Sequence, residues 1–175
     1  LGDIHAAGNP HVSLDPRRML QIAEKLNERL QKVDADNAET YQQRFEKFKQ
    51  RWQAAMREWE SKAQVLKGKN IITYHKNWTY FVDWLEINNI GDLEPKPGLP
   101  PTSRHLASLI ELTKQKDVDA IIYAAYQDPK AANWLSKRSD VPAVQLPYTI
   151  GGSEKADNLF DLMSETIDLI LTATK

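Results

Sequence analysis

The sequence predicts an α/β fold: a four-stranded parallel sheet flanked by helices and preceded by one long rigid helix. Three observations carry that expectation. From Tyr41 to Leu66, apolar residues recur four and three positions apart, and no glycine or proline intervenes until Gly68. Beyond Asn70, short apolar runs alternate with helical patterns in the order βαβαβαβα, which argues a parallel sheet with helices on both faces. The composition is that of an ordinary globular chain, 41 % hydrophobic and 27 % charged over 175 residues. That length suffices for one domain or one large lobe with its own core.

The elements follow in order. Asp15-Pro16 reads as the N-cap and first position of a helix, because proline lacks only an N–H that would be orphaned there anyway. Met19, Ala23, Leu26, Leu30 and Val33 then trace one helical face. The stretch "DADN" at 34–37 interrupts it, and Asp36 with Glu39 fits a capping box for the next helix. That helix is expected to run unbroken from about Asn37 to Leu66, with Tyr41, Phe45, Phe48, Trp52, Ala55, Trp59 and Leu66 along its seam. About 30 residues at 1.5 Å each reach roughly 45 Å. Two-stranded coiled coils prefer leucine and β-branched residues in such a seam, so the aromatics favour a helix lying along a globular body.

Strands are expected near residues 70–74, 87–93, 119–124 and 143–147. "NIITY" opens the sheet, and a helix through "WTYFVDWL" leads to "EINNIGDL". The proline-rich "EPKPGLPPTSR" is a loop, since its prolines neither donate to a ladder nor continue a helix. A helix marked by Leu106, Leu109, Ile110 and Thr113 follows, then the buried strand "DAIIYAAY". "DPKAANWLSKR" is a helix opened by Asp128-Pro129, "PAVQLPY" a strand, and Leu159, Met163, Ile167 and Ile170 mark the closing helix.

Several function classes drop out. Lys plus Arg (23) against Asp plus Glu (24) leaves a net charge of -1, which gives no reason to expect nucleic acid or an anionic membrane as partner. No apolar run approaches the roughly 18 residues that span a bilayer. Cysteine is absent, so disulfides, thiolate metal sites and a cysteine nucleophile are excluded from these residues. The chain opens on Leu1 without a charged and apolar leader, and reads as a mature or truncated product. Gly151-Gly152 has neither the lysine nor the spacing of a phosphate loop, and no nucleophile elbow is present.

The histidines are His5, His11, His75 and His105, and none pairs with another in an HxxxH or HExxH motif. Position says more than spacing. His75 directly follows the strand "IITY", at the carboxyl end of a parallel strand, where open α/β sheets place their ligands. His11 stands in a loop just ahead of a helix, also on a rim. His105 reads as an exposed residue in the first turn of its helix. His5 lies six residues before His11 with Gly8 between them, so the loop could turn both imidazoles towards one ion.

"GNPHVSLDPRRMLQIAEKL", the long helix after "DADNAETY", "YHKNWTYFVDWL", "PPTSRHLASLIEL" and "VPAVQLPYTIGG" follow one another in order. Together they resemble the periplasmic metal-binding solute-binding proteins of ABC importers for zinc and manganese. The resemblance implies two α/β lobes joined by one long helix, with the ion held between them and delivered to a membrane permease. It divides the chain into a ligand loop and first helix (1–35), the linker helix (36–68) and the carboxyl-terminal lobe (69–175), and it finds no counterpart here of the family's amino-terminal lobe. The family's "PHVWLDP" histidine falls on His11 and its next ligand on His75, with His5 as a possible third. Histidine at that second position favours Zn2+ over Mn2+, since imidazole suits zinc and carboxylate suits manganese. The family's late acidic ligand would fall near "QLPYTIGG", where only Tyr148 and Thr149 stand.

The resemblance therefore implies a carrier and no enzyme. A metal-dependent hydrolase on the same histidines is the first rival, but it needs a general base, and Asp15 and Asp83 read as a helix cap and a helix-surface residue. An adhesion or interaction module built on the long helix is the second, and it requires Phe45, Phe48, Trp52 and Trp59 to face solvent.

Overall fold

The computed structural model describes residues 8–174. Helix α1 (Pro16–Val33) starts where Asp15 accepts the Arg17 N–H, with proline at its first position. Asp15 is fully buried, and its carboxylate also takes the guanidinium of Arg17 and the Nε of Arg18. The apolar stripe read from the sequence is only partly covered. Met19 and Leu20 pack inward, whereas Leu26 and Val33 are exposed along with Ile22. One helix can cover only one side of α1, and that helix is α2 (Ala38–Ala63).

The break between them is not the expected capping box. A single 3-10 turn (Ala35–Asn37) intervenes, and Asn37 caps α2 without a side-chain bond. Asp34 holds the corner instead, accepting from Asn37 Nδ2 and from the Tyr41 hydroxyl at 2.7 Å. At its far end α2 tightens into a 3-10 turn (Gln64–Leu66) before Gly68, whose φ of +77° suits glycine. The aromatic seam is buried. Trp52 is wholly covered and donates its indole N–H to the Pro16 carbonyl; Trp59 donates to Ser164 Oγ. The two rings meet edge to face at 5.2 Å. Among the seam aromatics Phe45 is buried and Phe48 half-buried, so the second rival loses the feature that motivated it.

Four strands form one parallel sheet: β1 (Asn70–Thr73), β2 (Asn88–Asp92), β3 (Ala120–Ala124) and β4 (Ala143–Leu146), in the order β2-β1-β3-β4. Between them run α3 (Thr79–Trp84), α4 (Ser103–Gln115) and α5 (Lys130–Ser139), and α6 (Leu159–Ala173) closes the fold. Consecutive residues point to opposite faces of a strand, so Ile71 and Ile122 join the core under α2, α3 and α6. Ile72 and Ile121 join a second core with Leu106, Leu109 and Leu135 of α4 and α5. Both faces are thus covered, as parallel sheets require. The chain runs outward from β1 to β2 and then crosses back to β3 on the other side. That reversal opens a crevice at the carboxyl ends of β1 and β3. No described helix is long and apolar enough to cross a membrane.

Candidate metal centre

The first residues beyond β1 build the site. His75 is extended (φ -135°, ψ 159°) and 8 % exposed at the mouth of the crevice. Its Nδ1 lies 2.7 Å from Oε2 of Glu94. The parallel register explains the pairing. Leu93 and Glu94 extend the β2 ladder, bonding the carbonyls of Thr73 and Tyr74, so the second residue past β2 arrives beside the second past β1. The same Glu94 oxygen accepts the Gly98 N–H at 2.8 Å, which closes the proline loop around it. A cavity of about 260 Å3 lies here, lined by His75, Lys76, Asp92, Glu94, Lys96 and His105 among others.

His11 reaches the same place from the other end of the chain. Its Nδ1 is 2.6 Å from Asn9 Oδ1, which also accepts the His11 backbone N–H. The Asn9 amide nitrogen donates to the Lys76 carbonyl at 2.8 Å, and the Tyr80 hydroxyl donates to the Asn9 carbonyl. The loop ahead of α1 is therefore latched onto the loop that follows β1. As a result the rings of His11 and His75, 64 positions apart in sequence, stand edge to face with centroids 5.4 Å apart. Two imidazoles ligating one tetrahedral ion at about 2.0–2.1 Å would place their centroids roughly 5 Å apart.

Other sequence readings fare differently. His105 is half-buried, not exposed: its Nε2 lies 2.7 Å from the Asp92 carbonyl and its backbone N–H is capped by Thr102. His5 lies outside the described residues. Among those described, no group of three or more histidine, aspartate or glutamate side chains could hold an ion. At the position where the resemblance places a late acidic ligand, Tyr148 packs its ring against Trp78 and Tyr126. Burial pushes its phenol up to about 12, with Tyr126 adding to the effect, so it stays protonated and is no substitute for a carboxylate.

Tyr148 adopts a left-handed φ of +64°, uncommon for a bulky residue, within the tight turn that follows β4. Gly152 makes that turn possible. A Cβ there would fall 1.9 Å from the Pro147 carbonyl oxygen. Gly152→Ala is accordingly expected to destabilise the fold by about 1–3 kcal/mol, the range for forced overpacking. Urea unfolding of the variant checks it, and an unchanged midpoint would show that the turn relaxes freely.

Two residues central to this geometry were missed in the sequence. Asn9 stood unremarked in the loop ahead of the first helix, and Glu94 in the proline loop. A signal for Glu94 existed, since in a parallel sheet residues at the same offset past adjacent strands lie side by side.

Comparisons with known proteins bear on the same residues. The zinc-binding protein AdcA of Streptococcus pyogenes serotype M6 is 22 % identical over 172 residues, which is 96 % of this chain and 33 % of AdcA. The high-affinity zinc uptake system protein ZnuA of Bacillus subtilis is 22 % identical over 170 residues, 94 % of this chain and 53 % of that one. The chain thus spans about a third of the length of the streptococcal relatives. A crystal structure of ZnuA superposes with a TM-score of 0.82 at 20 % identity, covering 96 % of this chain and 61 % of that one. The solute-binding protein FpvC of Pseudomonas aeruginosa, in complex with Mn2+, gives 0.81 at 20 % identity over 95 % and 61 %. At those identities the likeness concerns the fold. The family model described as zinc-uptake complex component A, periplasmic, matches residues 2–173. Because that match runs through both histidine loops and all four strands, the chain belongs to this ZnuA family.

Proposed function

We propose that this chain captures a divalent transition metal, zinc before manganese, outside the cytoplasm and delivers it to the permease of an ABC importer. The observation that carries the reading is the pair His11 and His75, brought from distant parts of the chain to a separation that suits one ion. Neutral nitrogen donors match zinc better than manganese. Two imidazoles are half of the four ligands zinc takes. His5, water, or residues of a longer protein would supply the remainder. The longer relatives, with their greater length, are in keeping with a second lobe that closes over the site. On this reading residues 1–35 carry the ligand loop and first helix, 36–68 the linker helix and 69–175 the carboxyl-terminal lobe.

A carrier also fits the carboxylates better than a hydrolase does. Asp15 is buried against Arg17 and Arg18, Asp83 pairs with Arg17, and Glu94 is engaged by His75 and Gly98. Each has work other than activating a water. Equilibrium titration of the chain with Zn2+ and Mn2+ against a competing chelator tests the proposal. One zinc per chain is expected, held more tightly than manganese, yet more weakly than by a chain bringing all four ligands. Absence of saturable zinc binding, or a preference for manganese, would overturn it.

A further inference from the structure

Helix α1 has a covered side and an open one. Asn27 and Gln31 turn to Gln42 of α2. Spacings of three and four residues put Arg18, Ile22, Lys25, Leu26, Arg29 and Val33 on the opposite side. There Ile22, Leu26 and Val33 are 44 %, 57 % and 69 % exposed, so the apolar stripe has no cover among the described residues. A groove of about 560 Å3 runs along it, and Val12, in the turn ahead of the helix, closes one end. An apolar stripe with a polar rim marks a surface that another body covers.

The rim says what kind of body fits. Arg29 and Lys32 find no carboxylate at ion-pair distance among the described residues, and Lys25 has only the exposed Glu28. A second copy of this face would set cations against cations, which is unfavourable. A bilayer is flat and does not fill a corner between a turn and a helix. The fitting occupant is a protein ridge with apolar residues on its crest and carboxylates on its flank. Two further facts bear on its source. The solved ZnuA structure and AdcA extend well beyond this chain, which covers 61 % of the one and 33 % of the other. Whatever precedes residue 8 also joins the fold four residues from Val12, at the end of the groove.

We propose that the outer face of α1 is the seat of a lobe that precedes Leu1 in the same polypeptide. Ile22, Leu26 and Val33 supply the apolar contact, and carboxylates of the lobe face Arg29 and Lys32. The proposal rests on the carrier reading above and gives it a point of attachment. Val12 directly follows His11, so a lobe seated here is brought up against the candidate site.

The chain contains no cysteine, so a single one placed on this face reports its cover. Maleimide labelling of Leu26→Cys, without metal, is compared between the 175-residue chain and the gene product that carries the lobe, read at that residue by mass spectrometry. Labelling should be at least about tenfold slower with the lobe, the factor that a seat worth about 1.4 kcal/mol gives. Val65→Cys, also exposed but at the far end of α2, should label alike in both. Adding Arg29→Glu and Lys32→Glu to Leu26→Cys should restore the faster rate in the longer protein. The same reversals should leave the thermal unfolding of the 175-residue chain where it was, since both side chains are exposed. Equal rates for Leu26→Cys in the two lengths would overturn the proposal, as would slow labelling that survives both reversals or a reading frame that encodes no lobe ahead of Leu1. Protection that arises in the 175-residue chain on raising its concentration, or on adding phosphatidylglycerol vesicles, would assign the face to a second copy or a bilayer and overturn it too. Labelling needs no zinc, so it judges the seat alone. The carrier reading fails separately, if titration finds no saturable zinc site.

Discussion

Replacing Trp52 with alanine should lower the free energy of unfolding by about 3–5 kcal/mol, the range for losing a large aromatic from a packed core. No part of Trp52 reaches solvent, and it stacks on Phe48 while meeting Trp59 and Phe160 edge to face. Truncation would empty the junction of α1, α2 and α6 and leave the Pro16 carbonyl without its indole donor. That carbonyl lies at the start of α1, right after the His11 loop, so the same cavity would loosen the platform under the candidate site. Guanidinium unfolding of the wild type and the variant measures the loss. A change below about 1 kcal/mol would mean that the aromatic seam is not the structural spine described here.

The legibility of the chain varied with the kind of signal. The four strands and their parallel direction could be read because each is separated from the next by a helical pattern. Their spatial order and register were not legible, since alternation alone does not say which strands become neighbours. The long helix was legible for a similar reason, as a seam without glycine or proline. Helix α1 was harder. Its apolar residues mark a helix, but periodicity cannot say which side a single neighbour will cover, and Leu26 and Val33 stayed outside. The corner at 34–37 defeated the capping rule because Asp34, two residues before the expected cap Asp36, finds Tyr41 within reach.

The site divides along the same line. His75 was visible because the end of a parallel strand is a position that sequence order defines. His11 needed the resemblance, since nothing local says that a loop ahead of a helix will be latched to Lys76. His105 was misjudged because its partner, the Asp92 carbonyl, is backbone and leaves no trace in residue type. Glu94 and Asn9 act on other side chains rather than on a ligand, and such roles emerge only once tertiary distances are known.

His11→Ala and His75→Ala should each reduce zinc affinity by more than about 100-fold, beyond the loss typical of residues that merely orient a ligand. Removing either ring leaves one imidazole where two converge, and a lone histidine holds zinc poorly. His105→Ala should stay close to the wild-type value, because that ring is turned to the Asp92 carbonyl. Acid should weaken binding as well, since imidazole ligates only in its neutral form.

X-ray absorption at the zinc edge of the loaded chain tests the shared site most directly. The wild type should show at least two imidazoles at about 2.0–2.1 Å, and His11→Ala and His75→Ala, loaded at high zinc, should each show one fewer. A first shell that is the same in all three proteins would mean that His11 and His75 do not share an ion.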